Sequence, residues 1–136
     1  MNVALNFPET ADIHFTYAVI VTKFKGSWVF VKHSNRTTWE IPGGKREKNE
    51  SIFQTAAREL KEETGAVDFK LTPVTNYSVS SGDSITYGKV FIAEVYELST
   101  HLEYETVELL FSDSLPSQLT YPLIQPLLFE AATKKL

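Results

Sequence analysis

The stretch Gly44-Lys-Arg-Glu-Lys-Asn-Glu50-Ser-Ile-Phe-Gln-Thr-Ala-Ala-Arg58-Glu-Leu-Lys-Glu-Glu-Thr-Gly65-Ala66 decides how the rest of the chain is read. Within it, Ser51-Ile-Phe-Gln54 has the form of a capping box, in which the Ser hydroxyl accepts from an orphan N–H and the Gln side chain reaches back. Gly65 stands where a helix end wants a left-handed residue. A helix over 51–64 is therefore predicted, about 21 Å long at 1.5 Å per residue. Its apolar positions are Ile52, Phe53, Ala56, Ala57 and Leu60. They fill an arc of roughly 140°, which is the face predicted to be buried.

Glu59, Glu62 and Glu63 span about 100° of the same wheel, directly beside that face. Glu63 falls inside its edge, so its carboxylate is expected to be partly buried. Burying an unpaired anion is costly, and three converging anions repel one another. A cation relieves both problems. Carboxylate oxygens at this spacing suit hard divalent ions, Mg²⁺ above all, which also takes phosphate oxygens of a substrate. The alternative is a solvated acidic face. Lys61 lies on the opposite side of the helix and does not neutralise the cluster, whereas Arg58 flanks it. The helix alone leaves the two readings level. Ahead of it, Trp39-Glu-Ile-Pro-Gly43-Gly44-Lys45 reads as a strand ending in a Gly-Gly loop. Successive glycines let a backbone approach a ligand closely and turn a carbonyl toward a metal.

With that loop included, the spacing resembles the box of the Nudix hydrolase family. The family pattern is Gly, any five, Glu, any seven, then Arg-Glu-U-any-Glu-Glu-any-Gly-U, where U is bulky and aliphatic. Gly44, Glu50, Arg58, Glu59, Glu62, Glu63 and Gly65 match every strict position, and Leu60 matches the first U. Ala66 is a small occupant of the second U, and Val67 is placed to supply the bulk. Chance agreement at that many positions is on the order of one in a million for a chain of this length. The resemblance implies an α+β fold of the Nudix type, an α/β/α sandwich with a mixed sheet and a catalytic loop–helix–loop. It also implies hydrolysis of a nucleoside diphosphate linked to another moiety, with Mg²⁺ or Mn²⁺. It assigns metal binding to Glu59, Glu62, Glu63 and the Gly43 carbonyl, and catalysis to Glu59 and Glu62, with Glu59 the first choice of base. Family members differ in their base, and loop glutamates serve in some. Glu103, Glu105 and Glu108 stand in a candidate loop and strand edge, so Glu105 and Glu108 are kept as alternative bases beside a solvated acidic segment. Arg58 is expected to pair with Glu50 and, with Gly44 and Gly65, to hold the box in shape. Arg36 and Lys45 are candidates for the substrate, against the simpler reading of Arg36 as a solvated loop residue.

Outside the box the chain reads as one domain over 1–136. Val3, Leu5 and Phe7 alternate as in a short strand. The segments 13–24 and 27–32 form a hairpin about Lys25-Gly26. A second hairpin pairs 69–78 with 85–96 across Ser80-Ser-Gly-Asp83, and 107–111 is a further strand. Leu123, Ile124, Leu127, Leu128, Ala131 and Ala132 have helical spacing over 123–133, interrupted by Pro126, so this helix either starts near Gln125 or is kinked there. Trp28, alternating with Phe30, reads as core, and His14, His33 and His101 as scattered surface or strand residues. The 136 residues carry 13 Lys+Arg against 17 Asp+Glu, a formal charge of −4, with 43% hydrophobic residues and no Cys. That composition excludes disorder, disulfides, thiolate metal sites and cysteine nucleophiles. The acidic balance argues against a nucleic-acid backbone as partner. No apolar run is long enough to span a membrane and no signal peptide is visible, so a cytoplasmic location is expected.

The substrate is narrowed only by elimination. Neither a Ser-Gln-Pro-Trp element nor a Pro in 80–84 follows the box, and Tyr87 lies a few residues late for dinucleoside polyphosphate hydrolases. What remains is the MutT-like group of nucleoside triphosphate pyrophosphohydrolases, some of which act on oxidised guanine nucleotides, with Trp-Glu-Ile-Pro-Gly-Gly-Lys similar to theirs. The rival readings are an enzyme for the triphosphorylated 5′ end of RNA, served by Lys23, Lys25, Lys45, Arg46 and Lys48, and a non-catalytic nucleotide-sensing domain. Oligomeric state is left open.

Overall fold

The computed structural model describes residues 1–7, 9–10, 13–99 and 107–134. Its elements are β1 (Asn2–Leu5), β2 (Phe15–Phe24), β3 (Ser27–His33), β4 (Gly43–Lys45), α1 (Ile52–Thr64), β5 (Ala66–Ser81), β6 (Ser84–Leu98), β7 (Val107–Ser112) and α2 (Gln125–Thr133). The strands form one sheet in the order β1-β5-β6-β2-β3-β7, with β4 added on β2. β2 and β6 run parallel and the other pairs are antiparallel, so the sheet is mixed. The first hairpin turns at Lys25-Gly26, both at positive φ (49° and 83°). That is the primed geometry whose twist matches the flanking strands, and Gly adopts it without a Cβ penalty.

β2 is the organising strand. Along one edge it pairs with β3 through Thr22–Phe24 and with β4 through Tyr17–Val19. It is buried on both faces, as a strand with a parallel neighbour and a helix on each side should be. Ala18 and Ile20 point to one side and pack with Ala56 and Leu60 of α1 and Phe91 and Ala93 of β6. Val19 and Val21 point to the other and pack with Leu128 and Ala132 of α2, Phe30 and Ile41. The period-2 alternation of a strand thus divides the core into two layers. The result is the expected α/β/α sandwich.

Several local expectations change. The Gly-Gly segment is not a loop; Gly43–Lys45 is a short strand, because a β2 edge left free by β3 accepts it. Phe53 is 49% exposed rather than buried, resting edge-on against Phe91 at 6.0 Å, while Thr55 is fully buried. The buried arc is displaced toward Thr55 and Glu63. α2 begins at Gln125 with Pro126 in its first turn, where a missing N–H is harmless. Leu123 and Leu127 are consequently exposed, and Leu128 and Ala132 anchor the helix. Trp28 sits on the core, 5.2 Å from Phe129. β5 and β6 are longer than predicted, through irregularities around Asp68 and Pro73 that a period-2 reading does not follow.

Candidate active site

α1 is fixed at both ends by the sequence. Ser51 Oγ accepts from Gln54 N–H at 3.1 Å, and Gln54 Oε1 accepts from Ser51 N–H at 2.8 Å. At the other end Gly65, at φ +77°, donates its N–H to the Lys61 carbonyl. Leu60, fully buried, sets the rotation of the helix on the sheet. That rotation carries Glu63 inward. It is 7% exposed, accepts from Gly43 N–H at 2.8 Å and lies 3.0 Å from His33 Nε2. His33 Nε2 is also 3.8 Å from Glu40, so it bridges two carboxylates.

The two glycines of β4 are closely approached on opposite sides, Gly43 by backbone and Gly44 by a side-chain carboxylate. A Cβ on Gly43 would collide with the Ala18 carbonyl of β2. A Cβ on Gly44 would lie 2.6 Å from both carboxylate oxygens of Glu59. The Gly-Gly pair therefore lets β4 press against β2 while Glu59 presses against β4.

Arg58 ties the acids together. Its Nε and Nη2 donate to Glu50 at 2.7 and 3.0 Å, its Nη1 to Glu59 at 2.7 Å and to Glu62 at 3.2 Å, and its Nη2 to the Lys45 carbonyl at 3.1 Å. Glu50 also accepts from the Thr55 hydroxyl at 2.7 Å and from Glu47 N–H at 3.0 Å. The hydrogen bonds from Arg58, first among these, hold the Glu50 carboxyl down at about 2. Glu59 goes the other way, pushed up to about 7 by burial, with Glu63 and Glu62 adding repulsion that Arg58 only partly offsets. Burial likewise raises Glu40.

Of the other candidates, Arg36 is half exposed with its Nε 3.6 Å from Glu40. Lys45 is exposed and reaches the cluster through its carbonyl. Glu108 pairs with Lys32 at 3.3 Å on the outer strands, and Glu103 and Glu105 lie outside the described residues. His33, Glu40 and Thr55 carried no local signal in the sequence. His33 and Glu40 take part only because β3 and the segment before β4 fold beside α1, and Thr55 only because Glu50 turns back on the helix.

Among the described residues, no three His, Asp or Glu side chains converge as a ready-made metal cluster. Glu59 and Glu62 turn to Arg58, and Glu63 to Gly43 and His33. The donor set itself is hard oxygen, and Glu59 is raised by burial first and then by the charges of Glu63 and Glu62, an environment that a hard divalent cation fits. Across β4 lies a pocket of about 330 Å³ whose walls include Tyr17, Tyr77, Tyr121 and Gln125 as well as Gly43 and Gly44. The strand that touches Glu59 and Glu63 on one side lines a cleft on the other.

The two shifted acids predict the pH profile of the metal-free protein. The folded-state value of Glu59, about 7, lies above its ordinary 4.5, so the native state binds more protons and stability rises as pH falls from about 7 to 4.5. The folded-state value of Glu50, about 2, lies below 4.5, so its contribution is lost as pH falls from 4.5 toward 2. Melting temperature without metal should peak near pH 5. Added Mg²⁺ should raise it most at neutral pH and least in acid, since protons compete for the same oxygens. A Mg²⁺ shift independent of pH, or one that persists in both Glu62→Gln and Glu63→Gln, would place the ion elsewhere.

Comparison with known proteins bears on this geometry. The NUDIX domain model matches residues 12–111. YtkD of Bacillus subtilis (strain 168), provisionally named an 8-oxo-dGTP diphosphatase, is 31% identical over 102 residues, covering 74% of this chain and 64% of that protein. The ADP-ribose pyrophosphatase of the same organism is 42% identical over 81 residues, covering 57% of this chain and 44% of that protein. The chain thus spans less than two thirds of the length of either relative. A crystal structure of a glutamate-to-alanine variant of the Bacillus subtilis pyrophosphohydrolase BsRppH superposes with a TM-score of 0.80 at 22% identity, over 98% of this chain and 90% of that one. At that identity the superposition speaks for the fold alone.

Proposed function

The chain belongs to the Nudix family, and on that premise we propose that it is a pyrophosphohydrolase that converts a nucleoside triphosphate to its monophosphate and pyrophosphate. The observation that carries this reading is the position of β4, which forms one wall of the cleft and touches Glu59 and Glu63 with its other side. A nucleoside held in the cleft has its phosphates beside the acids. Glu59, Glu62, Glu63 and the Gly43 carbonyl would hold a Mg²⁺ or Mn²⁺ ion. When bound, that ion neutralises charge on phosphate oxygens and acidifies water. Glu59 takes the proton of the attacking water at Oε2, the oxygen that Arg58 leaves free. The water oxygen bonds to phosphorus as the anhydride P–O bond breaks, and pyrophosphate departs. Arg58 keeps Glu59 and Glu62 aligned, and Glu50 keeps Arg58 in place.

Oxidised guanine nucleotides are the favoured substrates, which would make the protein a cleaner of the nucleotide pool in the cytoplasm. The support is the 31% identity to YtkD. Among the described residues no helix is long and apolar enough to cross a membrane. The test is a product-release panel of nucleoside triphosphates, 8-oxo-dGTP, ADP-ribose and 5′-triphosphorylated RNA, with Mg²⁺, Mn²⁺ or chelator. Pyrophosphate release from a free triphosphate, abolished by chelator, is the expected result. Binding without turnover of any member would make the protein a sensor. Preferred turnover of RNA that falls steeply with salt would make it an RNA enzyme.

A further inference from the structure

Arg58 donates to Glu50, Glu59 and Glu62, whereas Glu63 is held from elsewhere. Its Oε1 accepts from Gly43 N–H at 2.8 Å, and its Oε2 lies 3.0 Å from His33 Nε2. The second contact is set by strand parity. β3 turns Phe30 toward the α2 layer, so the two-residue period turns His33 toward α1. A ring nitrogen without its proton would set a lone pair against an ionised oxygen, so the 3.0 Å contact assigns the proton to Nε2. The same nitrogen stands 3.8 Å from Glu40, too far for a hydrogen bond, so that proton belongs to Glu63. Each carboxylate oxygen has two lone-pair sites, and one that accepts a hydrogen bond can still face a cation.

We propose that His33 is a positioning residue of the cation site: its Nε2–H and the Gly43 N–H grip the two oxygens of Glu63 and hold that carboxylate in the orientation in which it binds a divalent ion. Glu63 is 7% exposed and Arg58 does not donate to it, so its orientation falls to these two donors. A ligand fixed before the ion arrives bears less of the ordering cost of binding. Hydrogen bonds to a ligating carboxylate are worth about tenfold to a hundredfold in metal affinity. The inference rests on Glu63 being a ligand of the cation in the proposed reaction, and it gives β3 a part in a site otherwise built from α1 and β4.

The experiment titrates nucleotide-free protein with Mn²⁺ at constant pH and follows the paramagnetic resonance signal of the free ion. His33→Leu should weaken Mn²⁺ binding by about tenfold or more. His33→Gln, whose amide N–H can reach the same oxygen, should restore most of that loss. Should His33→Leu fail to fold, His33→Phe keeps a flat ring without a donor and takes its place. The effect must also run through Glu63. In a Glu63→Gln background the His33 substitution should add little, and in a Glu62→Gln background it should keep its full size. Melts in chelator separate stability from affinity. A lowered melting temperature with unchanged Mn²⁺ affinity would make His33 a structural residue and overturn the proposal. So would a loss in His33→Gln as deep as in His33→Leu, which would make the imidazole itself the ligand, or a full His33 effect in the Glu63→Gln background. A wild type that binds no Mn²⁺ would sink the cation site and this inference together. The expected Mn²⁺ pattern without turnover of any nucleotide would sink the proposed reaction and leave this inference standing.

Discussion

Replacing Glu59 by Gln should lower turnover of the preferred nucleotide by about a hundredfold to ten-thousandfold, the range that a positioned proton acceptor contributes. The substitution keeps the size of the side chain and its Oε1, so Arg58 Nη1 still has an acceptor. What disappears is the charge and the proton site. A carboxylate can accept a proton from water, and an amide cannot. Glu62→Gln should also cost orders of magnitude, since it removes one anionic oxygen from the donor set proposed for the cation. Stability is the control. Without metal at pH 8, Glu59→Gln should melt at or above the wild type, because it removes a buried charge and its repulsion by Glu63 and Glu62. Steady-state kinetics with saturating Mg²⁺ and melts in chelator check both halves. Full activity in Glu59→Gln would remove that residue from the chemistry.

The second large effect is structural. Arg58→Met keeps an unbranched stem and deletes the guanidinium that serves Glu50, Glu59 and Glu62 together. Glu50 and Glu59 are well covered, with side chains 13% and 15% exposed, so their charges are left where water reaches them poorly. Breaking a buried pair from one side destabilises by about 3–5 kcal/mol; the partial exposure of Arg58 itself lowers the expectation to roughly 2–4 kcal/mol. Urea unfolding at pH 7 reads it. Mg²⁺ should restore part of the loss, through Glu59 and Glu62, and leave the part that belongs to Glu50. An unchanged urea midpoint would mean that the network is a surface ion pair of little energetic weight. Arg58→Lys should not rescue, because a point charge cannot hold Glu50 through two donors while also reaching Glu59.

Local chemistry made much of this protein legible before any coordinates. Ser51, Gln54 and Gly65 mark the ends of α1 by hydrogen bonds within a few residues of one another, and Lys25-Gly26 marks a turn by backbone geometry alone. The acids of α1 share a face because 3.6 residues make a turn, whatever surrounds the helix. The Arg58–Glu50 pair joins residues whose separation a single helix start can bridge. The fold class came from the resemblance of these residues' spacing to the Nudix box, and the hairpins visible as runs of β-branched and aromatic side chains agreed with it.

The tertiary structure decided what long-range pairing alone can decide. Gly43-Gly44 became a strand because β3 leaves part of the β2 edge open, and edge occupancy is not written in either segment. Phe53 was turned outward and Thr55 inward by the sheet that α1 rests on. His33 and Glu40 joined Glu63 through β3 and β4, across a separation that helix periodicity says nothing about. The cleft exists only where β4, β5 and the start of α2 meet. The sequence by itself determined the cluster of acids, because their alignment is a property of one helix. Which groups surround that cluster was determined by packing.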